Sequence, residues 1–372
     1  ISGGSLTIDV TAAGSKGLKC DGNITIDDSK SAPTVTITNS GKGKWDSDDQ
    51  EVKGAACMSS DANVTIAAGQ ISLTATGSGG KGLKCDSTLT ITGGDLSVTT
   101  TGTTYVNIGG NQEYDGNYRG QLDRLDDAYT TSPKGIKVGI KATESSTGLP
   151  VGDIQISGGN IHVTCSGQQD GSEGIESKGT LTISGGIIDC NTYDDAINSS
   201  SHMYIKGGTI TVYSSGNDGL DSNGNLYFSG ETTVAYGTRS PECGIDANEE
   251  EGYTMFFTGG NVLGIGGGNN SHPTTQESTQ GYVTYSGNVT VDSTLTVSKD
   301  GTVLATFTLP YDYSRGNVIL TAEGMTAGEQ YTVSDGSSTQ TLSAVQYGNG
   351  GPSGGGGPGG GGGPGGGGHG GW

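Results

Sequence analysis

Four short phrases hold most of the chain's potential chemistry: Glu173-Gly174-Ile175-Glu176-Ser177, Asp195-Ala196-Ile197-Asn198-Ser199, Asp218-Gly219-Leu220-Asp221-Ser222 and Cys243-Gly244-Ile245-Asp246-Ala247. Successive phrases begin 22, 23 and 25 residues apart. If the central Ile or Leu faces a core, strand alternation turns the next residue outward, giving a column of Glu176, Asn198, Asp221 and Asp246. A second column holds Glu173, Asp195 and Asp218, flanked by Asp194 and Glu242. It meets the first only if the chain bends, which the intervening Gly or Ala permits. Two carboxylates stacked about 5 Å apart repel by roughly 3 kcal/mol at an effective dielectric near 20. A cation relieves that repulsion. Oxygen ligands alone, without a Cys-x-x-Cys pair, favour Ca²⁺ over zinc or iron, so these nine residues are the expected metal ligands.

Earlier versions of the phrase are basic or neutral. They are Lys16-Gly17-Leu18-Lys19-Cys20, Gly54-Ala55-Ala56-Cys57, Lys81-Gly82-Leu83-Lys84-Cys85 and Lys134-Gly135-Ile136-Lys137. Lys19, Lys84 and Lys137 form an outward basic row suited to uronate carboxylates. Lys137, beside Glu176, is the best proton-abstracting base in the sequence, with Arg119 and Arg239 weaker candidates. Acidic neighbours hold such a lysine protonated, which opposes that role.

The elements that must position these residues follow from the period. Repeats of this length belong to solenoids. Between phrases runs a second refrain, an apolar residue followed by a spacer and usually a Gly pair, as in Ile183-Ser184-Gly185-Gly186 and Ile205-Lys206-Gly207-Gly208. The expected fold is all-β: a single-stranded parallel β-helix of about eight coils over residues 1–268. Loops are expected at 42–53, too polar for a strand, and at 103–132. Insertions in solenoids leave on one face, often the binding face. Trp45, Tyr114, Tyr118 and Arg119, with Lys84 and Lys137 of the basic row, are therefore the candidate carbohydrate-binding residues. From residue 269 the register is lost, and 269–347 reads as a β-rich cap or small antiparallel unit that covers the last coil. Residues 348–372, nearly all Gly with three Pro, read as a flexible tail.

Composition narrows the partners. The chain has 372 residues, 72 of them Gly, a net charge of −21 and a pI near 4.3. A chain this acidic has no basic footprint for nucleic acid. No apolar run is long enough to span a bilayer. The start at Ile1, without Met, suggests a processed or truncated form. Abundant Thr, Ser, Asn and Tyr point to a secreted or cell-surface protein. Cys20, Cys57 and Cys85 are expected in the row occupied elsewhere by Ser177, Ser199 and Ser222, as buried small side chains.

At Asp218-Gly219-Leu220-Asp221, at Asp194-Asp195-Ala196-Ile197-Asn198 and at Cys243-Gly244-Ile245-Asp246 the sequence resembles a family of secreted bacterial carbohydrate-binding β-helix proteins. The resemblance covers about residues 1–285 and is strongest over 134–268. It implies a calcium-binding right-handed parallel β-helix, similar in architecture to pectate-type polysaccharide lyases, that binds cellulose-like or polygalacturonate chains. It also implies Asp194, Asp195, Asn198, Asp218 and Asp221 as calcium ligands. Three functions are therefore expected: a non-catalytic carbohydrate-binding protein, a subunit that self-associates into extracellular filaments through its ends and Gly-rich tail, and a calcium-dependent lyase.

Overall fold

The computed structural model describes residues 1–109, 112–118, 120, 122, 125–140, 151–230 and 232–348. Among them the molecule is all-β, with strands stacked repeat upon repeat in three parallel ladders. The first ladder is built from the phrases: Lys16–Cys20, Ala56–Ser60, Lys81–Cys85, Lys134–Val138, Glu173–Ser177, Ile197–Ser199, Leu220–Ser222 and Ile245–Asp246. Register aligns Leu18, Met58, Leu83, Ile136, Ile175, Ile197, Leu220 and Ile245 in one core row. All but Leu18 are fully buried. Each such side chain contributes about 1.5–3 kcal/mol by leaving water.

The second and third ladders share one sheet. Ile24–Ile26, Val64–Ile66 and Leu89–Ile91 stack onto the first half of the twelve-residue strand Ile154–Cys165, while Ser5–Val10, Thr34–Asn39, Gln70–Ala75 and Asp95–Thr100 stack onto its second half. Leu181–Thr192 and Met203–Ser214 stack on in the same manner. Each long strand is interrupted at its Gly pair, and the second Gly of each (Gly159, Gly186, Gly208) has φ near +90°. That is backbone only glycine adopts without strain, which explains the refrain.

The phrase glycines serve a different end. A Cβ on Gly174 would overlap the Cys190 Sγ, and one on Gly135 or Gly82 would overlap Val163 or Val98 of the facing ladder. At these three glycines the two ladders approach too closely for a side chain. All six cysteines are free. Cys20, Ser60, Cys85, Val138 and Ser177 share a row as expected, but Cys57 does not. The core residue of its strand is Met58, so that phrase reads Ala56-Cys57-Met58-Ser59-Ser60 and places Cys57 at the glycine position.

The 42–53 segment is an antiparallel hairpin, Lys44–Asp46 with Glu51–Lys53, and not a loop. Cross-strand bonding outweighs its polarity. The insertion 103–132 contains a three-stranded antiparallel sheet of Tyr105–Asn107, Glu113–Asp115 and Thr130–Thr131. The two insertions pack together, with Trp45 stacked on Tyr129 at 5.8 Å between centroids and Lys42 paired with Glu113.

Every ladder is closed at its C-terminal end. On the third, Tyr313–Thr321 pairs antiparallel with Asn261–Gly266 and is itself flanked by Tyr282–Val289. On the first, Asn270 and Ser271 receive the Ile245 and Ala247 amides through their side chains. On the second, Ser278 receives the Phe257 amide. A four-stranded antiparallel sheet (Ser293–Lys299, Thr302–Leu309, Gln330–Ser334, Thr339–Ser343) completes the C-terminal part. Its Leu295, Val297 and Phe307 share a second core with Val234, Tyr236, Leu263 and Ile265 of the last repeats. Exposed unpaired strand edges invite pairing with other chains, and these contacts remove them. The Gly-rich tail beyond Gly348 lies outside the described residues.

Candidate metal centre and carbohydrate face

The outward column forms as the phrase spacing predicts: Lys19, Ser59, Lys84, Lys137, Glu176, Asn198, Asp221 and Asp246 are partners across successive strands. Its acidic half is not exposed, however. Glu176 and Asn198 are buried, and Asp221 and Asp246 are half-buried. The expectation of an outward-facing column is corrected in that respect, because neighbouring side chains of the other acidic and basic columns close over it.

Two distinct arrangements occupy this face. At Glu173 and Glu176 the carboxylates meet lysines: Lys134 Nζ lies 2.6 Å from Glu173 and 3.4 Å from Glu176, and Lys178 Nζ lies 2.6 Å from Glu176. Burial works to raise Glu176, but Lys134, Lys178 and Lys137 hold it well below the usual carboxylate range. Glu173 is instead pushed up to about 7, by burial and then by the charge of Glu176. One shared lysine therefore serves two acids. Lys178 comes directly after its phrase, and its alignment with the acidic column was missed in the sequence.

Further along the ladder the lysines stop. Asp218, Asp221 and Asp246 each place a carboxylate oxygen within 4.8 Å of the others. Burial followed by mutual repulsion pushes Asp218 up to about 7 and Asp221 well above the ordinary carboxylate value. Asp246 also rises, through burial, against the Ser271 hydroxyl that donates to it at 2.8 Å. Asp195 is raised by burial and by Asp221, and accepts the Asp218 amide at 3.1 Å. The Asn198 amide sits between acids, donating to Asp195 at 3.2 Å and Asp221 at 2.8 Å. Asp194 accepts from Asn217 at 2.7 Å and from the Gly171 amide. Glu242 is half-buried and close enough to Asp218 to add to its upward shift.

Of the nine candidate ligands the structure thus converges three, lines them with Asp195, Asn198 and Glu242, and gives Glu173 and Glu176 to lysines. The converged donors are hard oxygens. Cys243, adjacent to them, is a buried thiol whose pKa is raised well above its usual value, so it stays protonated and offers no thiolate. Such a set fits a calcium-like ion and not a thiolate-seeking metal.

Of the candidate sugar-binding residues, Trp45, Tyr114 and Tyr118 lie in the two packed insertions, and Lys84 and Lys137 are register partners on the first ladder. Trp45 is occupied by Tyr129, and Tyr114 makes an edge contact with Tyr118 at 5.2 Å. Arg119 lies outside the described residues. Lys84 pairs with Asp86 at 2.8 Å. Burial lowers the pKa of the Lys137 ammonium, while Glu176 acts in the opposite, raising direction as its acidic neighbour. Arg239 contacts the Tyr193 hydroxyl at 3.4 Å. A different aromatic set went unread. Tyr204, Tyr227 and Phe256 are register partners whose rings stack at 4.6 and 4.7 Å, and Tyr213, Tyr236 and Tyr311 cluster where the C-terminal sheet meets the third ladder. The first set was legible as one aromatic per repeat. The second was not, since Tyr311 comes from beyond the repeats.

No helix among the described residues is long and apolar enough to cross a membrane. No curated protein and no solved structure matches the chain. A family described as carbohydrate-binding domain-containing protein matches residues 130–219 and 170–347, which together span more than half of the sequence and include the converged aspartates, both aromatic sets and the C-terminal sheet. The chain belongs to this carbohydrate-binding domain-containing family.

Proposed function

We propose that this protein is an extracellular, calcium-stabilised and non-catalytic binder of cell-wall polysaccharide, whose three ladders wind as a right-handed single-stranded parallel β-helix. The observation that carries the calcium reading is the convergence of Asp218, Asp221 and Asp246 oxygens within 4.8 Å at a partly buried place, with no lysine ion pair to them among the described residues. Like charges held so closely need either protons or a metal ion, and oxygen donors of this kind are what Ca²⁺ takes. Family membership supports the carbohydrate.

The lyase alternative has one observation in its favour, the lowered pKa of Lys137, which suits a base. Its distance weighs against it. In register Lys137 stands three strands from Asp221, about 14 Å at the usual strand spacing. A metal at the aspartates and a base at Lys137 would address different sugar units. The filament alternative loses the C-terminal strand edges on which head-to-tail pairing would rely, because other segments already cover them.

The test is affinity electrophoresis through gels containing polygalacturonate or a neutral glucan, with Ca²⁺ or with a chelator, beside ultraviolet monitoring of the same polygalacturonate mixture. Retardation by at least one glycan with flat absorbance is expected. Rising absorbance from unsaturated product would replace binding with lysis, and unaltered mobility in every gel would end the carbohydrate reading.

A further inference from the structure

The outer surface of the third ladder changes character along the stack. In the last repeats it is apolar or aromatic (Tyr213, Val234, Tyr236, Leu263, Ile265) and lies under the C-terminal sheet. In the earlier repeats it is open, and its side chains fall into two rows fixed by strand register. One row runs Thr34, Gln70, Asp95, Asn160, Ile187 and the other Thr36, Ser72, Ser97, His162, Asp189. A trough of about 420 Å³ runs along these rows. Five strands at the usual spacing give it a length of about 19 Å, an elongated shape that suits a chain and not a compact ligand.

Its chemistry is specific. Neither row contains Lys or Arg, while Asp95 and Asp189 are acidic, so a polyanion meets two carboxylates and finds no guanidinium or lysine ammonium in these rows. Hydroxyl and amide groups repeat along the trough, offering both donors and acceptors to an array of sugar hydroxyls. Ile187 is 57% exposed at its edge, an apolar surface against which the C–H face of a sugar ring can lie. Several polar groups are already oriented: Asn160 donates to Asp95 at 2.6 Å, and His162 lies 3.2 Å from Asp189. Beside its last strand the trough is flanked by a wall. Asn191, two residues beyond Asp189, donates to the Tyr311 hydroxyl at 3.0 Å, and Tyr311 packs on Tyr213 at 4.2 Å between centroids.

We propose that this trough binds a linear, uncharged polysaccharide running along the stacking direction, with its terminal sugar against the Asn191–Tyr311 wall. The proposal rests on the carbohydrate reading and adds the site and the charge class. Ser97→Trp fills the trough from an exposed position and leaves the aspartate centre untouched. Asn160→Trp, equally exposed, serves if the first variant misfolds, with the calcium response of the melting temperature as the control for folding.

Hydroxyethylcellulose in the gel is the neutral probe and polygalacturonate the charged one. The expected result is retardation of the parent by hydroxyethylcellulose, weakened at least about tenfold by Ser97→Trp, with any polygalacturonate retardation unchanged by that variant. Equal retardation of parent and both Trp variants by the neutral glucan would overturn the site while leaving carbohydrate binding intact. Retardation by polygalacturonate alone would overturn the charge class. Failure of both probes with the parent would remove the proposal together with the function on which it rests.

Discussion

The aspartates at 218, 221 and 246 are the residues whose behaviour depends most on solution conditions. Asp218 titrates near 7, and Asp221 and Asp246 are also raised. A carboxyl whose folded pKa exceeds its unfolded one binds protons more tightly when folded. The metal-free protein therefore holds that stability below the ordinary carboxylate pKa and loses it as pH rises through about 7. In chelator the melting temperature is expected to fall from pH 5 to pH 8, as read by scanning calorimetry; a flat or rising profile would contradict the assignment. Calcium should reverse the trend, because protons compete for the same oxygens. At a hundredfold excess over its dissociation constant the ion stabilises by about 2.7 kcal/mol. Asp221→Asn should abolish most of that gain while raising the melting temperature in chelator, a sign difference that a merely structural aspartate would not produce. The cysteines offer a second check at this scale. Five are buried, and burial pushes Cys57 up to about 12, so a thiol reagent should label at most Cys20 in the native protein and all six after denaturation.

Elements were legible wherever each strand repeats one pattern, and less so where a strand departs from it. The phrase Glu173-Gly174-Ile175-Glu176 predicts core row, glycine and acid correctly, because period-two alternation and the stacking repeat agree there. At Gly54-Ala55-Ala56-Cys57 two small residues resemble the phrase, but Met58 supplies the larger apolar surface and wins the core position, shifting the register by three. The burial of the acidic column was not legible. Alternation tells which side of a strand a residue occupies, and says nothing of what closes over that side. Ladder geometry also gives the phrase glycines a measurable role. Gly174→Ala forces a methyl group into Cys190 and should destabilise by about 1–3 kcal/mol in urea unfolding. At Ala196, the equivalent position one repeat later, the same methyl group is native, and Ala196→Gly should cost less than Gly174→Ala. The covering strand Tyr313–Thr321 is the other element to probe. Ile319 is buried and pairs with Gly264, so Ile319→Pro removes a ladder hydrogen bond and opens the last edge. Light scattering that grows with concentration is the expected readout.

At the scale of the molecule, the first ladder changes sign along its length. Lysines at 16, 19, 81, 84, 134 and 137 occupy the earlier strands, and acids at 173, 176, 195, 218, 221 and 246 the later ones. Stacking in register sums these charges in one direction, where a fold that scattered them would cancel them. The first ladder is consequently polar along its stacking direction, rich in lysine in its earlier strands and in acid in its later ones. If the partner surface is anionic, the lysine-bearing repeats meet it at the lower electrostatic cost, which steers capture. Added salt should slow that capture more than it loosens the complex once formed.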